Sequence, residues 1–271
     1  MTIQADWIRY GADQEYLGYL AVPERVKGPV PAVIVLQEIW GVDDHIQHVA
    51  RRFAEAGYVA LSPDLYAKNG ERPEALSGER IVKVKHFLET VPPSAWNNPE
   101  ERDRAMDALP EPERTEVRTT FGTLFGGLDP TRYIPQLKAS SQYLRAEQPL
   151  SKGAKVGSVG FCMGGALSAV LATEDPELAA AAIFYGNAPA KEKISSIQCP
   201  VYGFYASLDP RITDQVPEFA KQMQEAGKSF QYKVYEGAHH AFFNDTRASY
   251  HIDAARDSFA TVLQFFAEHL R

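Results

Sequence analysis

Cysteine is scarce in this chain, with two residues in 271, Cys162 and Cys199. Two thiols make no disulfide framework, and both are expected to stay reduced. Long apolar runs are lacking as well. No stretch approaches the roughly 18 residues of a membrane span, which excludes a membrane partner. The opening MTIQADWIRYGADQEYLGYL has no basic region followed by an apolar core and a small-residue cleavage site. The expected location is the cytoplasm. Positive charge is in deficit, with 28 Lys and Arg against 35 Asp and Glu for a net charge of −7. No basic stripe is left to follow a phosphate backbone, so nucleic acid is excluded as a partner. Internal repeats and low-complexity linkers are also missing. What is present is a composition of 45% hydrophobic and 23% charged residues, enough for a sizeable core in one large domain spanning 1–271.

Strand and helix signals alternate, the pattern of an α/β fold with a mostly parallel sheet covered on both faces. The segment 7–23 reads as an edge hairpin around a Gly-Ala-Asp-Gln turn. PAVIVLQE (31–38) is a near-continuous apolar run, as a strand buried on both faces requires, and it closes on a carboxylate. Asp43 or Asp44 caps a helix whose apolar positions Ile46, Val49, Ala50 and Phe53 recur at helical spacing until Gly57. A strand follows at 58–64. From 66 to 130 the periodicity gives way to a polar, Pro-rich insert, expected to form short helices as a cap or lid. Helices are then predicted over 131–147, 163–173, 213–226 and 250–270, and strands over 154–161, 179–186, 200–207 and 230–237.

GFCMGG (160–165) falls where the strand 154–161 runs into a helix. A glycine two residues before and two after the central residue is what a strained strand-to-helix turn needs, and such a turn holds its central side chain out as a nucleophile. Gly160 and Gly164 fill those places around Cys162. The start of the following helix, with its unpaired N–H groups, favours a thiolate. Cys199, at the start of a strand, reads as a small buried hydrophobe. A nucleophile needs a base and the base needs an orienting acid. Asp209 follows the strand 200–207, and His239 and His240 follow the strand 230–237, so nucleophile, acid and histidine arrive in the chain order of α/β-hydrolases.

With those residues in view, the chain resembles the dienelactone hydrolase family, the group that includes carboxymethylenebutenolidase, over almost its whole length. The resemblance rests on QEIWG (37–41), SPDLY (62–66), GFCMGG, the Asp209 loop and HAFFND (240–245). It implies an α/β-hydrolase fold and cleavage of ester or lactone bonds in a small molecule, with no cofactor and no metal. In the family's motif the histidine directly precedes the Ala/Ser/Gly-Phe pair, which implies His240 rather than His239 as base. The family glutamate falls on Glu38, implied to contact the resting thiol and to take its proton when substrate displaces it. By position, the backbone N–H groups of Ile39 and Met163 are implied as the oxyanion donors. Trp40, Phe242 and Arg118, with Arg114 a neighbour, are the implied substrate contacts. Members that act on dienelactone carry an arginine four residues after the histidine, which helps hold the substrate carboxylate. Here that residue is Asn244.

Two other readings compete. A thiol-based redox protein would need a resolving cysteine, and Cys199 lies outside any C-x-x-C spacing. A binding module with a vestigial triad would be expected to have lost one of the three residues. A metal site is disfavoured because His239 and His240 are adjacent, while His45 and His48 have no acidic or thiol partner at zinc-like spacing. The hydrolase reading carries the expectation of a monomer or weak homo-oligomer.

Overall fold

Among the described residues, eight strands form one sheet in the computed structural model, which describes residues 2–271 apart from 93, 94, 96, 97 and 128. The strands are β1 (Ile3–Tyr10), β2 (Tyr16–Pro23), β3 (Ala32–Leu36), β4 (Val59–Pro63), β5 (Val156–Phe161), β6 (Ala180–Phe184), β7 (Val201–Ala206) and β8 (Phe230–Tyr235). Their order across the sheet is β1-β2-β4-β3-β5-β6-β7-β8. β1 and β2 form an antiparallel hairpin, β2 runs antiparallel to β4, and every pair from β4 to β8 is parallel. β3, β4, β5 and β6 are buried along their whole length, which explains their unbroken apolar runs. β8 closes one edge and exposes four consecutive residues, 231–234.

The helices are α1 (Asp44–Glu55), α2 (Gly78–Thr90), α3 (Pro99–Asp107), α4 (Glu113–Phe125), α5 (Ile134–Ala146), α6 (Met163–Glu174), α7 (Pro210–Thr213), α8 (Val216–Glu225) and α9 (Ile252–His269). Asp43 settles the cap of α1 by accepting from the N–H of Ile46 at 3.1 Å. The buried face of α1 includes Ile46, Val49, Ala50 and Phe53 together with His45 and Ala54, and Gly57 ends the segment at φ +98°. Most boundaries shift by one or two residues from the sequence reading, and three differences matter more. β3 stops at Leu36, so Glu38 lies two residues beyond the strand in a loop. The helix expected over 213–226 is α8, starting three residues later, and a short helix, α7, precedes it; each has a proline in its first turn, where the missing N–H costs nothing. The helix expected from 131 begins as a 3-10 turn, Pro130–Tyr133, before α5.

The chain divides into two compact units. The first, Met1–Leu65 with Pro130–Arg271, holds the sheet. Its core is aromatic: Phe161 stacks on Phe243 at 5.1 Å between centroids and Phe184 on Phe204 at 4.4 Å, with Phe53 and Phe266 also fully buried. The second unit, Tyr66–Asp129, is helical. Ser77 caps α2 and Asn98 caps α3, and Glu116 of α4 ties back to Lys83 of α2 at 2.6 Å.

Candidate active site

β5 delivers Cys162 directly onto α6. The residue has φ +56° and ψ −115°, a conformation that non-glycine residues rarely adopt. The flanking glycines show why the turn tolerates no side chain. A Cβ on Gly160 would lie 1.8 Å from the carbonyl oxygen of Gly164, and one on Gly164 would lie 2.3 Å from that of Leu36. The turn is thus wedged against the end of β3, and Cys162 is left half-buried at the carboxyl ends of the parallel strands.

The loops after β7 and β8 are sewn together. Ser207 N–H donates to Tyr235 O at 3.0 Å and Leu208 N–H to Ala238 O at 3.0 Å. That seam places buried Asp209 beside His240, whose Nδ1 lies 2.6 Å from Asp209 Oδ2. The carboxylate fixes the tautomer with Nδ1 as donor, which turns the other ring nitrogen toward the thiol, and the ring hydrogen-bonds Cys162 as well. Burial alone would lower the imidazole, but Cys162, as charge and hydrogen-bond partner, and Asp209 together push it up to about 10. His239, by contrast, is exposed.

Glu38 is 3% exposed, and neither of its bonded partners is a cation. Tyr185 Oη donates to Oε1 at 3.1 Å and Asn244 Nδ2 to Oε2 at 2.8 Å. The contact with the resting thiol implied by the family is therefore not the arrangement seen. Both carboxylate oxygens are engaged elsewhere, and the thiol's partner is His240. Tyr185 follows β6 with φ +40°, is fully buried, and its ring centroid lies 5.0 Å from that of His240. Its hydroxyl is raised well above the usual range by burial, then by Glu38 and Cys162.

The remaining expected residues fall as follows. Ile39 follows Glu38 and Met163 is the first residue of α6, both half-buried. Trp40 is buried, with the Arg247 guanidinium 5.3 Å from its ring centre. Arg118 lies in α4 of the second unit, exposed, bonded to Asp107 at 2.7 Å and to the carbonyl of Asp103. Phe242 is 0% exposed, packed on Tyr185 and Tyr235, so its ring offers a ligand no surface and serves packing instead. Sequence reasoning missed Tyr185 altogether and had no contact for Asn244. It also left His45 and His48 without an acid. The fold brings Asp245, 200 residues from His45, to 3.3 Å from His45 Nδ1 and 3.8 Å from His48 Nδ1. This ties α1 to the loop that carries His240. Among the described residues no group of three or more His, Cys, Asp or Glu side chains could hold a metal ion, and no helix is long and apolar enough to cross a membrane.

The model of the dienelactone hydrolase family matches residues 17–270. The chain belongs to that family. A family member from Saccharolobus solfataricus, provisionally named a carboxymethylenebutenolidase, is 36% identical over 254 residues, covering 91% of each chain. A provisionally named 2-oxo-3-(5-oxofuran-2-ylidene)propanoate lactonase from Bradyrhizobium is 28% identical, covering 99% of this chain and 96% of its own. Among solved structures, a dienelactone hydrolase, also provisionally named, from Klebsiella pneumoniae superposes with a TM-score of 0.75 at 26% identity, covering 99% of this chain and all of its own. The α/β architecture is thus that of the dienelactone hydrolases.

Proposed function

We infer that this family member hydrolyses ester or lactone bonds of small carboxylic substrates through the Cys162 thiolate. The observation that carries the reading is His240, hydrogen-bonded on one side to Asp209 and on the other to a cysteine held in a strained strand-to-helix turn. In the first step sulfur attacks the acyl carbon and the carbonyl π pair moves to oxygen. The backbone N–H groups of Ile39 and Met163 are the donors assigned to that oxyanion. Collapse breaks the bond to the leaving alkoxide, which takes a proton from His240 and leaves a thioester on Cys162. His240 then removes a proton from water, hydroxide adds to the thioester, and the acid departs as the thiolate returns.

Glu38 is assigned the priming step, accepting the thiol proton as substrate enters. Trp40 and Arg118 are retained as substrate contacts to be tested by substitution. The helical unit 66–129 is proposed as a lid within one catalytic domain, which limited proteolysis with and without a substrate-like ester would test by a change in cleavage there. For the nucleophile, Cys162→Ala should lower kcat/KM on p-nitrophenyl esters by about 10³ or more while circular dichroism stays native. Activity within tenfold of wild type would overturn the assignment. Glu38→Gln should slow acylation about 10²-fold in single-turnover experiments, and a wild-type rate would end its priming role.

A further inference from the structure

We propose that Tyr185 and Asn244 are positioning residues that form a berth shaped for the carboxylate form of Glu38 alone. Each of the two partners is locked in one orientation. The Asn244 side chain is 0% exposed, and its carbonyl oxygen accepts from Thr246 N–H at 3.0 Å and from Thr246 Oγ1 at 2.7 Å. A backbone N–H can only donate, so the amide oxygen must face Thr246 and the NH₂ must face Glu38. Tyr185 is locked in the same manner. Its oxygen is hydrogen-bonded by the backbone of Phe243, which leaves its own O–H to donate to Glu38. Burial holds that hydroxyl far above its usual range, so it remains a donor.

Glu38 therefore meets two fixed donors and no acceptor. A carboxylate satisfies both; a carboxylic acid would aim its new O–H at a donor and lose one bond in a buried site. A proton arriving on Glu38 does not lodge there. It returns to the Cys162 thiolate as the acid product leaves, which regenerates the carboxylate for the next turnover. The titratable and charged groups facing this region are Cys162 at the start of α6, Tyr185 after β6, and His240 with Asp209 from the loops after β8 and β7. Beside them lie Asp245, bound to His45 of α1, and Arg247 over Trp40. The donors on Glu38 itself are neutral, so its charge is held in place without being cancelled.

The berth's place in the reaction rests on Glu38 as the thiol's proton acceptor, and the test separates the two. In protein labelled with ¹³C at glutamate carboxyl carbons, the Glu38 signal is assigned by its loss in Glu38→Gln. Asn244→Asp replaces a donor by an acceptor at unchanged shape, and the Glu38 titration midpoint should move up by about one pH unit or more. Tyr185→Phe, which removes one donor, should move it in the same direction by less, and this variant decides the matter if Asn244→Asp does not fold. An unmoved or lowered midpoint in the folded variants overturns the berth. A wild-type acylation rate in Glu38→Gln ends the priming role and leaves the berth to stand or fall by its own titration.

Discussion

His240 has the strongest electrostatic signature among the proposed catalytic residues, held protonated by Cys162 and Asp209 against the cost of its own burial. An imidazole raised to about 10 is still the acid form at neutral pH, paired with Asp209. The sign follows: the pair persists as pH rises until His240 loses its proton, so the alkaline limb of kcat/KM should fall near pH 10. A fall near pH 7 would show an imidazole that titrates as if unpaired. The same raised value contributes to folding stability fully below about pH 6.5, and that contribution is lost as pH rises through about 10. His240→Ala should abolish turnover and His239→Ala should leave most of it, since His239 is exposed. At this scale the sequence was readable where chemistry constrains residue type. A cysteine between glycines, followed in chain order by an acid and a histidine, suits nucleophilic catalysis and little else. Tyr185 was not readable, because 179–186 reads as strand to its end, and its hydroxyl meets Glu38 only across 147 residues of chain.

At the scale of elements, the turn between β5 and α6 is the piece with least tolerance. The oxygen that a Cβ on Gly164 would strike is backbone, the end of β3, and cannot rotate away. Gly164→Ala should therefore cost about 1–3 kcal/mol or more in urea denaturation and displace Cys162 enough to lose activity. A stability unchanged within error would mean that the turn relaxes freely. The strands were legible because double-sided burial imposes unbroken apolar runs, and β3 through β6 show it. Their ends were less so. The segment PAVIVLQE turns polar after Leu36, where backbone pairing with β5 also stops, so the reading carried the strand two residues too far. The short α7 ahead of α8 was hidden for another reason: proline in a first turn suits the start of a helix, and with prolines at 210 and 217 the sequence does not say which turn is first.

For the molecule as a whole, the two thiols report on different events. Cys162 is half-buried at the site, whereas Cys199 is 5% exposed and its thiol is pushed up to about 12, by burial first and with the Asp175 charge adding to it. Iodoacetamide should thus modify Cys162 in the native protein and Cys199 only as the fold opens, with a rate that rises in parallel with unfolding in urea. Native labelling of Cys199 at a rate equal to that of Cys162 would contradict the burial. The bond between Glu38 and Asn244 also has a consequence for how the protein is made. Its partners are separated by 206 residues, and at ~5–20 residues per second the ribosome needs about 10–40 s to pass from one to the other. During that interval Cys162 is synthesised with neither His240 nor the completed Glu38 site behind it. The nascent chain carries Cys162 without the imidazole that hydrogen-bonds it in the folded protein, and that bond forms only after the segment 240–246 has emerged and docked.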